Sequence, residues 1–384
     1  MDNEHGIYRL LQQHLDKQAV GFPAAALGSD IRLLKRLFTP DEAKVALHLS
    51  YKPAPVEQII ATAAPEFSAV QTGRLLESML MKGSIGWKEK NKIGHWFVLP
   101  LVIGMYEAQD GDPTPEFLAD ANAYMRSPAF GRAFMHAKPS QMRTIPIKKS
   151  ITTDHHVATY DQIRDLVQNS PGPFVVLKCI CRQSRVLKGK QCEKTTRQET
   201  CFAFNDMAAM VLRRRHGREV SREEALAIFQ QNEDDGLVLQ PANAQQPEFV
   251  CSCCGCCCGL LSYQKFLSNP VDFWTNHYQA EVDPDACLGC GTCVSRCQVN
   301  AATLAGPGGK ATIDGKRCIG CGLCVPTCPS NAVGLKQKLL EMPVPKDEEA
   351  LYDEIMQNKK SVLSQWRAFL KEAPKIGKLL ARRR

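Results

Sequence analysis

All 18 cysteines of this 384-residue chain lie between Cys179 and Cys328, a window of 150 residues. The 178 residues before the window and the 56 after it contain none. An extracellular disulfide scaffold is normally a short chain stapled along its whole length. Here several cysteines are directly adjacent, and the opening Met1-Asp2-Asn3-Glu4-His5 lacks the basic and apolar regions of a secretory signal. The expectation is a cytoplasmic chain with reduced thiols. Soft thiolates at this density suit iron–sulfur clusters or zinc better than disulfides. A composition of 44% hydrophobic and 23% charged residues is that of folded proteins and excludes wholesale disorder. The longest uncharged apolar stretch, Ile93 to Tyr106, is interrupted by His95 and Pro100. It falls short of the roughly 20 residues a membrane-spanning helix needs.

Two runs share the spacing C-x2-C-x2-C-x3-C, first Cys287, Cys290, Cys293 and Cys297, then Cys318, Cys321, Cys324 and Cys328. The likeness extends past the cysteines, because Asn300-Ala301 follows the first run as Asn331-Ala332 follows the second. This internal duplication, over about residues 280–335, resembles the bacterial two-cluster ferredoxins. In that family three thiolates two residues apart wrap a corner of a 4Fe–4S cube in a tight, glycine-permitted loop, and the fourth leaves on a short helix for the other cube. The resemblance implies one cluster on Cys287, Cys290, Cys293 and Cys328, and a second on Cys318, Cys321, Cys324 and Cys297. The alternative is a pair of zinc knuckles, which usually separate two ligand pairs by a longer loop and often use His. No His lies between Cys287 and Cys328. Gln298 stands where the family usually has proline after the fourth cysteine. That proline shapes the turn without ligating, so both clusters are expected to survive.

The other ten cysteines follow a different logic. Thr159-x-x-Gln162 reads as a capping box opening a helix with Ile163, Leu166 and Val167 on its apolar side. Phe174 through Cys181 then reads as a buried strand, which would put Cys179 and Cys181 on one face. Cys192 and Cys201 follow in a polar, basic loop, and Ser221-x-x-Glu224 caps a second helix through Phe229. Glu248 onward looks like a strand breaking into a glycine-containing turn that carries Cys251, Cys253, Cys254, Cys256, Cys257 and Cys258. If the two strands pair, Cys179 and Cys181 meet this second group at one end of a sheet. Chain neighbours such as Cys253 and Cys254 face opposite ways in extended backbone, so they would serve two sites, or one would be a bystander. Free buried thiols explain one or two cysteines, not ten. The expectation is a third iron–sulfur site and a fourth if the thiols divide, with zinc as the alternative and the ligating subset open.

The N-terminal part shows three helical segments and a hairpin. Thr39-Pro40-Asp41-Glu42 is a good helix start, a second helix follows Pro55, and a third runs from about Ser68 to Met81. Segments around Ile85–Trp87 and His95–Leu99 flank the polar turn Lys88–Lys92. Over roughly residues 30–105 this resembles the winged helix-turn-helix domains of bacterial regulators, which implies DNA binding through the third helix, with Gln71, Thr72, Arg74, Glu77 and Ser78 on its reading face. Residues 30–100 hold ten Lys/Arg against seven Asp/Glu, a thin footprint for phosphate contacts. Protein docking is the favoured use of this module and DNA the weaker one. His155-His156 is a pair without a constellation and reads as an exposed polar start.

The tail carries the chain's net charge. From Lys359 to Arg384 there are nine Lys/Arg and one Glu, an excess of eight that equals the whole chain's +8. Val362, Leu363, Trp366, Phe369 and Leu370 form a stripe at helical spacing. Such a segment suits an anionic membrane surface, nucleic acid, an acidic partner or packing on its own core.

The expected architecture is α+β and multi-domain: a winged-helix-like domain (1–107), a helical linker region (108–150), a cysteine-rich α/β domain (151–279), a two-cluster ferredoxin domain (280–335) and a basic amphipathic helical tail (336–384). No Walker loop, dinucleotide fingerprint or nucleophile elbow is present. The expected function is single-electron transfer through the clusters to or from a redox partner protein or oxidoreductase complex, in the cytoplasm or peripheral to the inner membrane. Taken together the chain looks like multi-cluster ferredoxin-like proteins of anaerobic bacteria. The alternatives are a redox-sensing regulator using the winged helix, and an enzyme with a substrate at a middle cluster.

Overall fold

The computed structural model describes residues 2–64, 66–109, 111, 113–151, 158–267, 269–338 and 343–359. His155-His156 and the tail stripe from Val362 to Leu370 lie outside the described residues.

Side-chain caps set where the N-terminal helices begin. α1 (Asp2–Asp16) and α2 (Ser29–Leu37) precede α3 (Pro40–Ala46), where Thr39 Oγ1 accepts from the Glu42 N–H and Glu42 returns a carboxylate to the Thr39 N–H. β1 (Ala54–Pro55) leads into α4 (Val56–Ala63), and Ser68 and Gln71 form the same reciprocal cap at the start of α5 (Ala69–Met81). β2 (Ile85–Lys90) and β3 (Ile93–Val98) close a hairpin, and β1 adds to it in the order β1-β3-β2. The turn is tighter than its polar composition suggests. Lys88, Glu89 and Lys90 stay paired with β3, and only Asn91-Lys92 turn, both with positive φ.

α6 (Pro115–Met125) and α7 (Pro128–His136) are each opened by a capping hydroxyl and a proline, from Thr114-Pro115 and Ser127-Pro128. The stretch Met142–Ile147 contributes only the two-residue β4 (Arg143–Thr144), which pairs in parallel with β10 (Thr275–Asn276). Thr159–Asp161 form a 3-10 turn, and α8 (Ile163–Asn169) starts from Gln162 without a side-chain cap. The capping box read at Thr159 does not open this helix, because Thr159–Asp161 form a turn of their own and Gln162 lies between it and α8.

The middle region is a five-stranded sheet in the order β7-β5-β6-β9-β8. Its strands are β5 (Phe174–Lys178), β6 (Glu199–Phe204), β7 (Arg218–Val220), β8 (Val238–Pro241) and β9 (Phe249–Cys253). Every neighbouring pair is antiparallel, so this is an α+β arrangement and not the α/β domain expected. α9 (Ile180–Val186), α10 (Asn205–Arg213) and α11 (Arg222–Asp234) intervene, the last capped by Ser221. α12 (Gly259–Gln264) follows the cysteine-rich turn.

The C-terminal part repeats a small unit. β11 (Tyr278–Val282) pairs with β14 (Val333–Gln337), and β12 (Ala302–Leu304) pairs with β13 (Ala311–Ile313), with α13 (Thr292–Arg296) between β11 and β12. α14 (Glu348–Gln357), capped by Asp347, then returns to the N-terminal helices and buries Leu351 and Ile355 against Ala19 and Ala137.

One apolar core crosses the expected boundary at residue 107. Leu34, Leu76 and Trp96 share it with Val175, Leu177 and Ala203 of the middle sheet. The hairpin is fastened from two sides. Arg213 stacks over Trp87 at 4.4 Å, and Lys90 pairs with Glu349 of α14 at 2.6 Å, where Lys88 also meets that carboxylate. No helix among the described residues is long and apolar enough to cross a membrane.

Candidate metal centres

β5 ends at Lys178, where its register against β6 shifts, and Cys179 caps the short α9. Cys179 and Cys181 therefore sit at a helix start and not on a strand face. β5 and β9 do not pair. β6 lies between them and carries Cys201, which is buried in the sheet and not in the loop expected. The ends of β5, β6 and β9 nonetheless bring thiols together at one end of the sheet.

They form two groups. In the first, Cys179 has Cys181 and Cys201 as its thiol neighbours, Cys201 has Cys251, Cys251 has Cys253, Cys253 has Cys258, and Cys258 leads back to Cys181. These six sulfurs close a ring. Hydrogen bonds from their neighbours pull Cys179 and Cys253 down from the ordinary thiol range. The ring neighbours of Cys181 and Cys251, reinforced by burial, push those two thiols up. In the second group Cys192, Cys254, Cys256 and Cys257 place all four sulfurs within 4.8 Å of one another. Hydrogen bonds from Cys254 and Cys257 draw Cys192 far down, while the bond to Cys192 helps push Cys254 up to about 12. The chain neighbours Cys253 and Cys254 thus enter different groups, Cys253 ending β9 and Cys254 opening the turn that follows it.

Arg182 binds the two groups electrostatically. Its side chain is 1% exposed and donates to the Thr200 hydroxyl and, at 3.1 Å, to the Ser252 carbonyl. No carboxylate among the described residues pairs with it. Burial opposes its charge, but Cys179, Cys201 and Cys254 outweigh that cost and hold the guanidinium charged. A permanent buried cation facing thiols is the environment of thiolates, the form in which cysteine ligates metal.

The duplicated segment is built differently. Cys297 lies in the electrostatic neighbourhood of Cys318, Cys321 and Cys324, and Cys328 in that of Cys290. Backbone N–H groups donate to sulfur from Ala280 to Cys318 (3.3 Å), Ala301 to Cys297 (3.2 Å) and Ala311 to Cys287 (3.4 Å). Such donors favour thiolate over thiol and tune a bound cluster, so the residues present fit 4Fe–4S groups. Burial pushes Cys321 up to about 12, a cost that metal ligation removes. Gly320, at φ 66°, lets the ligand loop pass the Tyr278 carbonyl, where a Cβ would stand 2.2 Å from that oxygen.

The two regions touch. Cys253 and Cys258 share a buried cluster with Cys287, Cys293 and Cys318. Gln298 is 3% exposed, and its Oε1 accepts from the Gly255 N–H at 2.9 Å. The residue that departs from the ferredoxin pattern therefore ties Cys297 to the turn between Cys254 and Cys256. Neither Arg182 nor this Gln298 contact was signalled by spacing, because their partners lie 18 to 70 and 43 residues away. Separately, a cavity of about 250 Å³ lies between the hairpin, α10 and α14, with no cysteine in its lining.

Residues 286–332 match the 4Fe-4S dicluster domain family. No curated protein and no solved structure matches the chain. Together with the sulfur geometry, the match identifies a ferredoxin-like 4Fe–4S domain at the C-terminal end of a mixed helix-and-sheet protein.

Proposed function

We propose that the chain relays single electrons between its two ferredoxin-type clusters and a further iron–sulfur site on the ring Cys179, Cys181, Cys201, Cys251, Cys253 and Cys258. The observation that carries this reading is the shared buried core in which Cys253 and Cys258 pack with Cys287, Cys293 and Cys318. Cys287, Cys290, Cys293 and Cys328 hold one ferredoxin cluster, and Cys318, Cys321, Cys324 and Cys297 the other. The clusters, when bound, supply one-electron chemistry. The chain contributes burial, the N–H donors of Ala280, Ala301 and Ala311, and the fixed charge of Arg182.

A redox partner protein or oxidoreductase complex is the second terminus of this relay, docked through the N-terminal module, with the basic tail available to an anionic membrane surface in the cytoplasm. DNA is the weaker partner. Lys88 and Lys90 are held by Glu349, Thr72 is buried, Ser78 bonds to Glu42, and Glu77 is paired with Arg213 at 2.8 Å. A redox titration of the anaerobically purified full chain, followed by electron paramagnetic resonance, tests the relay. A reducible signal beyond the two ferredoxin clusters, lost in Cys201→Ser, supports it. Two clusters only, unchanged in that variant, overturn it.

A further inference from the structure

The four-thiol group is too compact for a cube. Its sulfurs stand 3.6 Å (Cys192–Cys254), 3.8 Å (Cys192–Cys256), 3.4 Å (Cys254–Cys256) and 3.7 Å (Cys256–Cys257) apart. Four sulfurs at about 2.3 Å from one tetrahedral ion are separated from each other by about 3.8 Å. A cubane instead places each thiolate on a different iron and spreads them beyond contact. The same chain displays that second geometry: among the described residues only Cys192, Cys254, Cys256 and Cys257 come within 4.8 Å of one another as a set, and the ferredoxin cysteines do not.

Charge agrees with geometry. Four thiolates around a divalent ion carry a net charge of about −2. Arg182 faces Cys254, and Arg185 faces Cys256 and Cys257 while donating to the Cys256 carbonyl. Two guanidinium groups thus flank the sulfurs. Cys192, Cys256 and Cys257 are half-buried, which leaves an approach for an ion, whereas Cys254 is buried.

We propose that Cys192, Cys254, Cys256 and Cys257 bind one divalent metal ion, zinc or ferrous iron, in a tetrahedral tetrathiolate centre distinct from the iron–sulfur clusters. Binding exchanges the thiol protons of the group for the ion and releases them to solvent. Zinc holds the higher place in the affinity order for such ligands. The ion fixes the turn whose Gly255 N–H meets Gln298, and so clamps the middle region onto the ferredoxin segment. This rests on the reading of the middle thiols as ligands and not on the relay of electrons.

Metal and acid-labile sulfide are counted on the full chain and on Cys256→Ser/Cys257→Ser, both purified without oxygen. The expected result is a loss of about one metal ion, zinc or iron, with no loss of sulfide. A loss of about four irons with their sulfide, or no loss at all, overturns the proposal. The unmutated chain provides a second reading that does not depend on the variant's folding. Zinc-edge X-ray absorption should show one shell of sulfur at about 2.3 Å and no metal neighbour. If the ion is iron, Mössbauer spectroscopy should show an isolated ferrous tetrathiolate component. A metal–metal shell at the zinc edge, or only cluster iron with no bound zinc, contradicts the mononuclear site. Loss of electron transfer with this ion retained would overturn the relay alone.

Discussion

The ferredoxin segment and the middle thiol region answer the same chemical problem in opposite ways. In the ferredoxin segment each run of cysteines is local, its sulfurs are kept apart, and backbone N–H groups from Ala280, Ala301 and Ala311 point at them. In the middle region the sulfurs come from four separate stretches, four of them lie within 4.8 Å of one another, and a buried Arg182 supplies the charge. The difference teaches where each site draws its stability. The first is carried by short local loops, the second by a sheet whose end collects distant thiols. Metal loss should therefore unravel the first locally and loosen the second only if the sheet's charge balance is broken.

The largest expected effect is Arg182→Met. Removing one partner of a buried charge arrangement costs about 3–5 kcal/mol, read from denaturant unfolding, and should strip the middle metals while the ferredoxin absorbance persists. Equal loss from both regions would erase the distinction between them. Gly320→Ala is the reciprocal change. A left-handed conformation costs a non-glycine residue about 1–2 kcal/mol, and the added Cβ meets the Tyr278 carbonyl at 2.2 Å besides. The iron of the Cys318–Cys321–Cys324 loop should fall while the middle metals stay.

Gln298→Pro restores the residue usual in ferredoxins and leaves the Gly255 N–H without its acceptor. An orphaned buried donor costs about 1–3 kcal/mol. Both ferredoxin clusters should remain, and the ion of the four-thiol group should exchange faster with a chelator. The metal affinity of the four-thiol group also depends on pH. Cys254 is pushed up to about 12 in the metal-free group, so its proton must leave for metal to enter. Each displaced proton strengthens binding about tenfold per pH unit. Zinc titrations of metal-free protein between about pH 6 and 8 should tighten with rising pH and release protons. A flat profile would mean the thiols are already ionised.

How much of this was legible in the sequence follows the same division. The duplicated spacing is a local code, and caps at Thr39, Ser68 and Ser221 are local too, so those elements stand where their residues place them. The middle site depends on β6 entering between β5 and β9, which no local signal announces. Cys201 sits after a polar loop yet lies in a strand paired with Leu177. Cys179 follows an apolar run yet caps a helix, because the strand slips register at Lys178. In the N-terminal region the helix α5 was legible but not its outer face, since Thr72 is buried and Ser78 is bonded to Glu42. α1 carries a signal of its own in the sequence: Tyr8, Leu11 and Leu15 recur at helical spacing and are all buried.

The central claim is that redox iron extends beyond the ferredoxin segment. Iron, zinc and acid-labile sulfide per full chain, on protein purified without oxygen, test it most directly. The expected result is about twelve irons with matching sulfide, the content of three 4Fe–4S clusters, and one further divalent ion. About eight irons, with the ten middle thiols free to alkylate, would contradict it.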